Sequence, residues 1–125
     1  MAILSQATRT ILNGEDLTAS TNYSYTSSGD TGADAGWYDA KYNEIVVQIG
    51  VATLNATSFD YRIEGRANAN ARALELYSTS INAITNIDTS IKVTEKVNQM
   101  RVGHKVSTNA TPNNIYSRLI LTEVT

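Results

Sequence analysis

A chain of 125 residues, 42% of them hydrophobic, suffices for one domain with a single core. It has no cysteine, which excludes a disulfide framework and thiolate metal sites, and its net charge of −2, with no run of Lys or Arg, argues against a nucleic-acid partner. No apolar stretch approaches the roughly 20 residues that cross a bilayer as a helix, and Met1-Ala-Ile-Leu-Ser-Gln6 lacks the basic region and apolar length of a secretory signal, so we expect a chain made in the cytoplasm and soluble unless it assembles, with no membrane partner.

In chain order, residues 7–12 read as a first short strand and Asn13-Gly14 as a turn. Residues 18–36 are rich in Thr, Ser, Gly and Asp. They form either a long loop or an extended arm, with one poorly marked strand near Tyr23 and Tyr25. A short strand is expected at 37–40 and a strong one at 44–52, with Ile45, Val47, Ile49 and Val51 on one face. Asn55-Ala56 marks a turn. Residues 58–66 alternate most cleanly, Phe59, Tyr61 and Ile63 against Asp60, Arg62 and Glu64. Side chains on a strand point to opposite faces in turn, so one face is expected dry and the other wet.

Further strands are expected at 72–81, 87–97, 99–107 and 115–124, with turns or loops at 67–71, 82–86 and 108–114. The last strand is apolar on both faces. Ile115, Leu119 and Leu121 share one side and Tyr116, Ile120 and Val124 the other. Such a strand is central in its sheet or covered by a partner. About eight strands with turn signals between them describe an all-β fold, an antiparallel β-sandwich of jelly-roll-like or immunoglobulin-like order. Residues 1–32 form its N-terminal strand and polar arm, and 33–125 its core.

No catalytic, cofactor or metal residues emerge from this pattern, and no enzyme is expected. His104 is the only histidine and lies on the same side of its strand as Met100, Val102 and Val106. It reads as a core-edge or interface imidazole with a hydrogen-bond partner. Asp30, Asp34 and Asp39 do not match an EF-hand spacing, and Asp and Gly are also what turns favour. Asp60 and Glu64, interleaved with Arg62 and Arg66, read as a solvated strand face rather than a paired-carboxylate site. The Asn22-Tyr-Ser24, Asn55-Ala-Thr57 and Asn109-Ala-Thr111 sequons are expected by chance in so Asn- and Thr-rich a chain. Trp37 and Tyr61 read as core anchors. A carbohydrate-binding alternative would instead expose Trp37 or Tyr38 to stack on a sugar. Tyr23 and Tyr25, aromatics on a polar arm, either pack back onto the domain or anchor a neighbour.

The runs Ala35-Gly-Trp-Tyr-Asp39, Tyr42-Asn-Glu-Ile-Val-Val-Gln48, Tyr61-Arg-Ile-Glu-Gly-Arg66, Val97-Asn-Gln-Met-Arg-Val102 and Arg118-Leu-Ile-Leu-Thr122 resemble small β-sandwich virion proteins of tailed bacteriophages. The resemblance spans about residues 33–124. It implies a capsid decoration (cement) protein, or else a component of the head–tail junction, tail or fibre. It also implies localisation in the virion, the major capsid protein or other virion proteins as partners, and a homo-oligomer, for which a trimer is expected. It carries no catalytic residues. On this reading the candidate partner interface is Tyr23, Tyr25, Tyr116, Ile120 and Val124.

Overall fold

The computed structural model describes residues 2–52, 58–82, 87–107 and 114–124. The expected turn at Asn55-Ala56, the centres of the loops at 82–86 and 108–114, and the sequons starting at Asn55 and Asn109 lie outside these residues. Eight strands are described: β1 (Ile3–Glu15), β2 (Tyr38–Asp39), β3 (Glu44–Val51), β4 (Ser58–Arg66), β5 (Leu74–Asn82), β6 (Ile87–Val93), β7 (Gln99–Val106) and β8 (Ile115–Val124). They form two antiparallel four-stranded sheets, sheet A in the order β1-β8-β3-β6 and sheet B in the order β2-β7-β4-β5.

The order has a simple rule. First pairs with last, second with seventh, third with sixth and fourth with fifth. It is one long hairpin, bent between β4 and β5, rolled until its two halves face each other. This is the jelly-roll arrangement. An immunoglobulin-like domain would instead place β1 beside a sequence-near strand.

Burial follows the expected alternation. Along β3 the residues Ile45, Val47, Ile49 and Val51 are buried and those between them half-buried. From the other sheet Phe59, Tyr61 and Ile63 meet them with Met100, Val102 and Val106. Fully burying such a side chain stabilises by roughly 1.5–3 kcal/mol, so these two inner faces account for the core. Strand β8 sits between β1 and β3, so it is central in its sheet.

Two elements differ from expectation. Strand β1 runs from Ile3 to Glu15 instead of 7–12, and Asn13-Gly14 is a bulge within it rather than a turn. Gly14 has φ of 82°, the left-handed conformation that a bulge glycine supplies. β8 continues to pair beyond it, Glu15 opposite Ile115, so the chain does not reverse there. The expected arm is likewise absorbed into the fold. Residues before 16 form an edge of sheet A, and the segment from 16 to 37 folds along and over sheet B, with one isolated bridge, Ser24 to His104.

Candidate functional site

The solvent side of sheet B corrects the sequence reading most. Across β4 and β7, Asp60 pairs with Lys105, Arg62 with Gly103, Glu64 with Arg101 and Arg66 with Gln99. This face was expected wet, yet Glu64, Arg66 and Arg101 are only 7%, 7% and 5% exposed. Tyr23, Tyr25 and Trp37 lie across it as a strap and alternate with the cations beneath. Lys105 and Arg62 lie 4.6 and 4.2 Å from the centre of the Tyr23 ring. Arg101 lies 3.6 Å from the Tyr25 ring and 4.5 Å from that of Trp37, with Arg66 4.1 Å from Trp37. Cation–π contacts of this kind contribute about 0.5–2 kcal/mol each, more when desolvated.

Arg101 ties the layer together. Its Nε donates to Glu64 at 2.9 Å, and its Nη1 donates to the carbonyls of Gly32, Ala33 and Ala35 at 2.9, 3.2 and 3.1 Å. One guanidinium thus satisfies a buried carboxylate and the turn of the strap above it. Arg62 lies 3.7 Å from the same carboxylate and donates to the Tyr25 hydroxyl. Burial pushes the phenols of Tyr23 and Tyr25 up from their ordinary value. Gly103 makes the close approach possible, since a Cβ there would stand 2.7 Å from Tyr25 Cε1 and 2.9 Å from Tyr23 Cβ. A glycine inside a strand between bulky neighbours is the one sequence signal that marks such a contact.

His104 sits beneath the first part of the strap. Its backbone exchanges two hydrogen bonds with Ser24, and its ring Nδ1 lies 3.3 Å from the Ser24 carbonyl, which places the ring proton on Nδ1. Its Nε2 is buried with no hydrogen-bond partner among the described residues, and the ring stacks near Phe59. Burial pulls its pKa down to about 4, so the imidazole is neutral near pH 7. Tyr61, its cross-strand neighbour, is pushed up to about 12 by burial and by Tyr77.

The residues considered for chemistry are dispersed. Asp30 accepts from Thr26, Asp34 lies 3.4 Å from Arg66, and Asp39 accepts from the Lys41 amide. Among the described residues no three His, Asp or Glu side chains converge on a possible metal position. The Trp37 ring is occupied by two guanidinium groups and its Nε1 donates to the Ala33 carbonyl. Tyr38 packs against the core. Neither presents a free platform for a sugar.

The five interface candidates fall on opposite sides of the sandwich. Tyr23 is half-buried and Tyr25 is buried, both against their own sheet B. Tyr116, Ile120 and Val124 share, by alternation along β8, the outer face of sheet A. Ile120 stands between Thr8 and Val46, and Val124 beside the well-exposed Ile3. Among the described residues no chain segment covers this face as the strap covers sheet B. The chain matches no protein-family model, no curated protein and no solved structure.

Proposed function

We propose that this chain is a structural virion protein of a tailed bacteriophage, a capsid decoration protein that cements the head by bridging capsomers as a homo-oligomer, for which we propose a trimer. The observation that carries the reading is the asymmetry of the two outer faces. Sheet B is closed by the chain's own strap, whereas the start of β1 at the edge of sheet A leaves Ile3, opposite Val124, and the adjacent Leu4 64% and 61% exposed. Two adjacent exposed aliphatic side chains at a strand end are a surface that a partner can bury. The mechanism is binding. Apolar area buried at a seam between capsomers raises the work of opening it, at roughly 25 cal/mol per Å².

The test is to add purified protein to expanded heads that lack it. Co-sedimentation and a higher melting temperature of the heads are expected, and replacing Ile3 and Leu4 by Ser should abolish both. Failure of the protein to associate with such heads removes the cement role. Imaging its position on the particle then decides whether it belongs to the head–tail junction, tail or fibre.

A further inference from the structure

The open face of sheet A also carries a depression at the opposite end of β8 from Val124. A row of residues crosses the sheet there: Asn13 opposite Tyr116, Tyr116 opposite Gly50, and Gly50 opposite Asp88. Gly50 contributes no side chain. Tyr116 and Asp88 therefore rise from strands about 9.5 Å apart, two interstrand spacings, with only backbone between them. The depression measures about 630 Å³, within the size range of small-molecule sites.

Its walls are ordered. The hydroxyl end of Tyr116 lies against Gly14 of β1, where a Cβ would stand 3.0 Å from the tyrosine hydroxyl, and the residue remains 46% exposed. On the adjoining row Arg118 donates to Gln48 Oε1, fixing both head groups at the rim. Asp88 and Arg118 carry one charge of each sign, so the rim is neutral overall.

We infer that this depression binds a neutral pyranose sugar. A single exposed aromatic wall suits a ring with one apolar C–H face, whereas a planar base gains most from an apolar surface on both faces. The remaining rim supplies what hydroxyls need: the Asp88 carboxylate as acceptor, the Asn13 amide as donor and acceptor, and the unused donors of Arg118 and Gln48. An anionic ligand would meet Asp88 without an excess of positive charge. The site lies away from the exposed Ile3 and Leu4, so it does not depend on whether the chain is docked on a particle. A shallow site with one stacking residue holds a monosaccharide with Kd on the order of 1–10 mM.

The test is a two-dimensional amide NMR titration of the isolated protein with D-glucose, D-galactose, D-mannose and N-acetyl-D-glucosamine. N-acetylneuraminic acid and adenosine serve as contrasts. At least one neutral sugar is expected to shift the Gly50 amide and the Asn13 and Gln48 side-chain amides saturably. Tyr116→Leu should weaken binding more than about tenfold while leaving the rest of the spectrum in place. If Tyr116→Leu does not retain its fold, Asp88→Ala replaces it with the same expected loss. The inference is overturned if no neutral sugar shifts Gly50 up to about 50 mM, if binding survives both substitutions, or if adenosine or N-acetylneuraminic acid occupies the depression instead. Capsid association is read separately and bears only on the virion proposal.

Discussion

Acid should loosen this fold through His104 before its carboxylates titrate. The imidazole is fully buried, its Nε2 has no partner among the described residues, and burial lowers its pKa from 6.5 to about 4. The unfolded chain therefore binds the proton more tightly than the folded chain. Stability contributed by the neutral ring is complete above pH 6.5 and is lost as pH falls toward 4. Integrating over that shift gives a loss of about 2 kcal/mol between pH 7 and pH 5, and about 3 kcal/mol by pH 4. The interval from pH 7 to 5 isolates the effect, because ordinary carboxylates titrate near pH 4. Urea denaturation followed by Trp37 fluorescence at pH 7, 6 and 5 measures it. His104→Leu is the control. It removes the titrating ring, while the Ser24 carbonyl keeps the backbone amide of residue 104 at 2.9 Å. The variant should have a nearly flat profile over this range, whatever its absolute stability. A loss below about 0.5 kcal/mol in the natural chain, or an equal loss in His104→Leu, refutes the reasoning.

Two further outcomes test the strap. Arg101→Met leaves Glu64 buried with only the more distant Arg62 and removes a donor from three carbonyls, of which Gly32 keeps the Ala35 amide and Ala33 the Trp37 Nε1. Thermal unfolding should show a loss of roughly 3–5 kcal/mol, partly recovered when Glu64→Leu is added, and a loss under about 1 kcal/mol would show that the pair is weakly coupled to the fold. Gly103→Ala places a methyl group 2.7 Å from Tyr25 Cε1. The strap must then lift, with a red shift of Trp37 emission, easier acrylamide quenching and a cost of about 1–3 kcal/mol. Unchanged fluorescence would mean that the close approach is not what holds the strap.

The strands were legible because alternation reports burial directly, as in Ile45, Val47, Ile49 and Val51 of β3. The two-faced β8 pointed to a central strand or one covered by a partner, and it is central. Strand partners were not legible. Ile3 and Val124 pair across nearly the whole chain, and nothing local in either marks the other. The strap was missed for a different reason. Arg62, Glu64 and Arg66 alternate as they would on a wet face, because an arginine stacked on an aromatic ring has the same spacing as one in water. Tyr23 and Tyr25 sit among Ser and Thr, where composition favours a loop. The depression on sheet A was hidden in the register, since Gly50 means little until Tyr116 and Asp88 are known to flank it.

The rolled hairpin also sets an order of assembly. Only β4 and β5 are neighbours in sequence that pair, and each further pair closes a longer loop, out to β1 with β8. Closing a loop of about 110 residues instead of about 10 costs roughly 2 kcal/mol more in chain entropy. On this entropy β1, the first made of these eight strands, is expected to dock late, onto β8, the last made of them. Until β8 is made, Ile3 and Leu4 have no sheet to join, so the surface proposed above to meet a partner is also exposed to aggregation while the chain is being made.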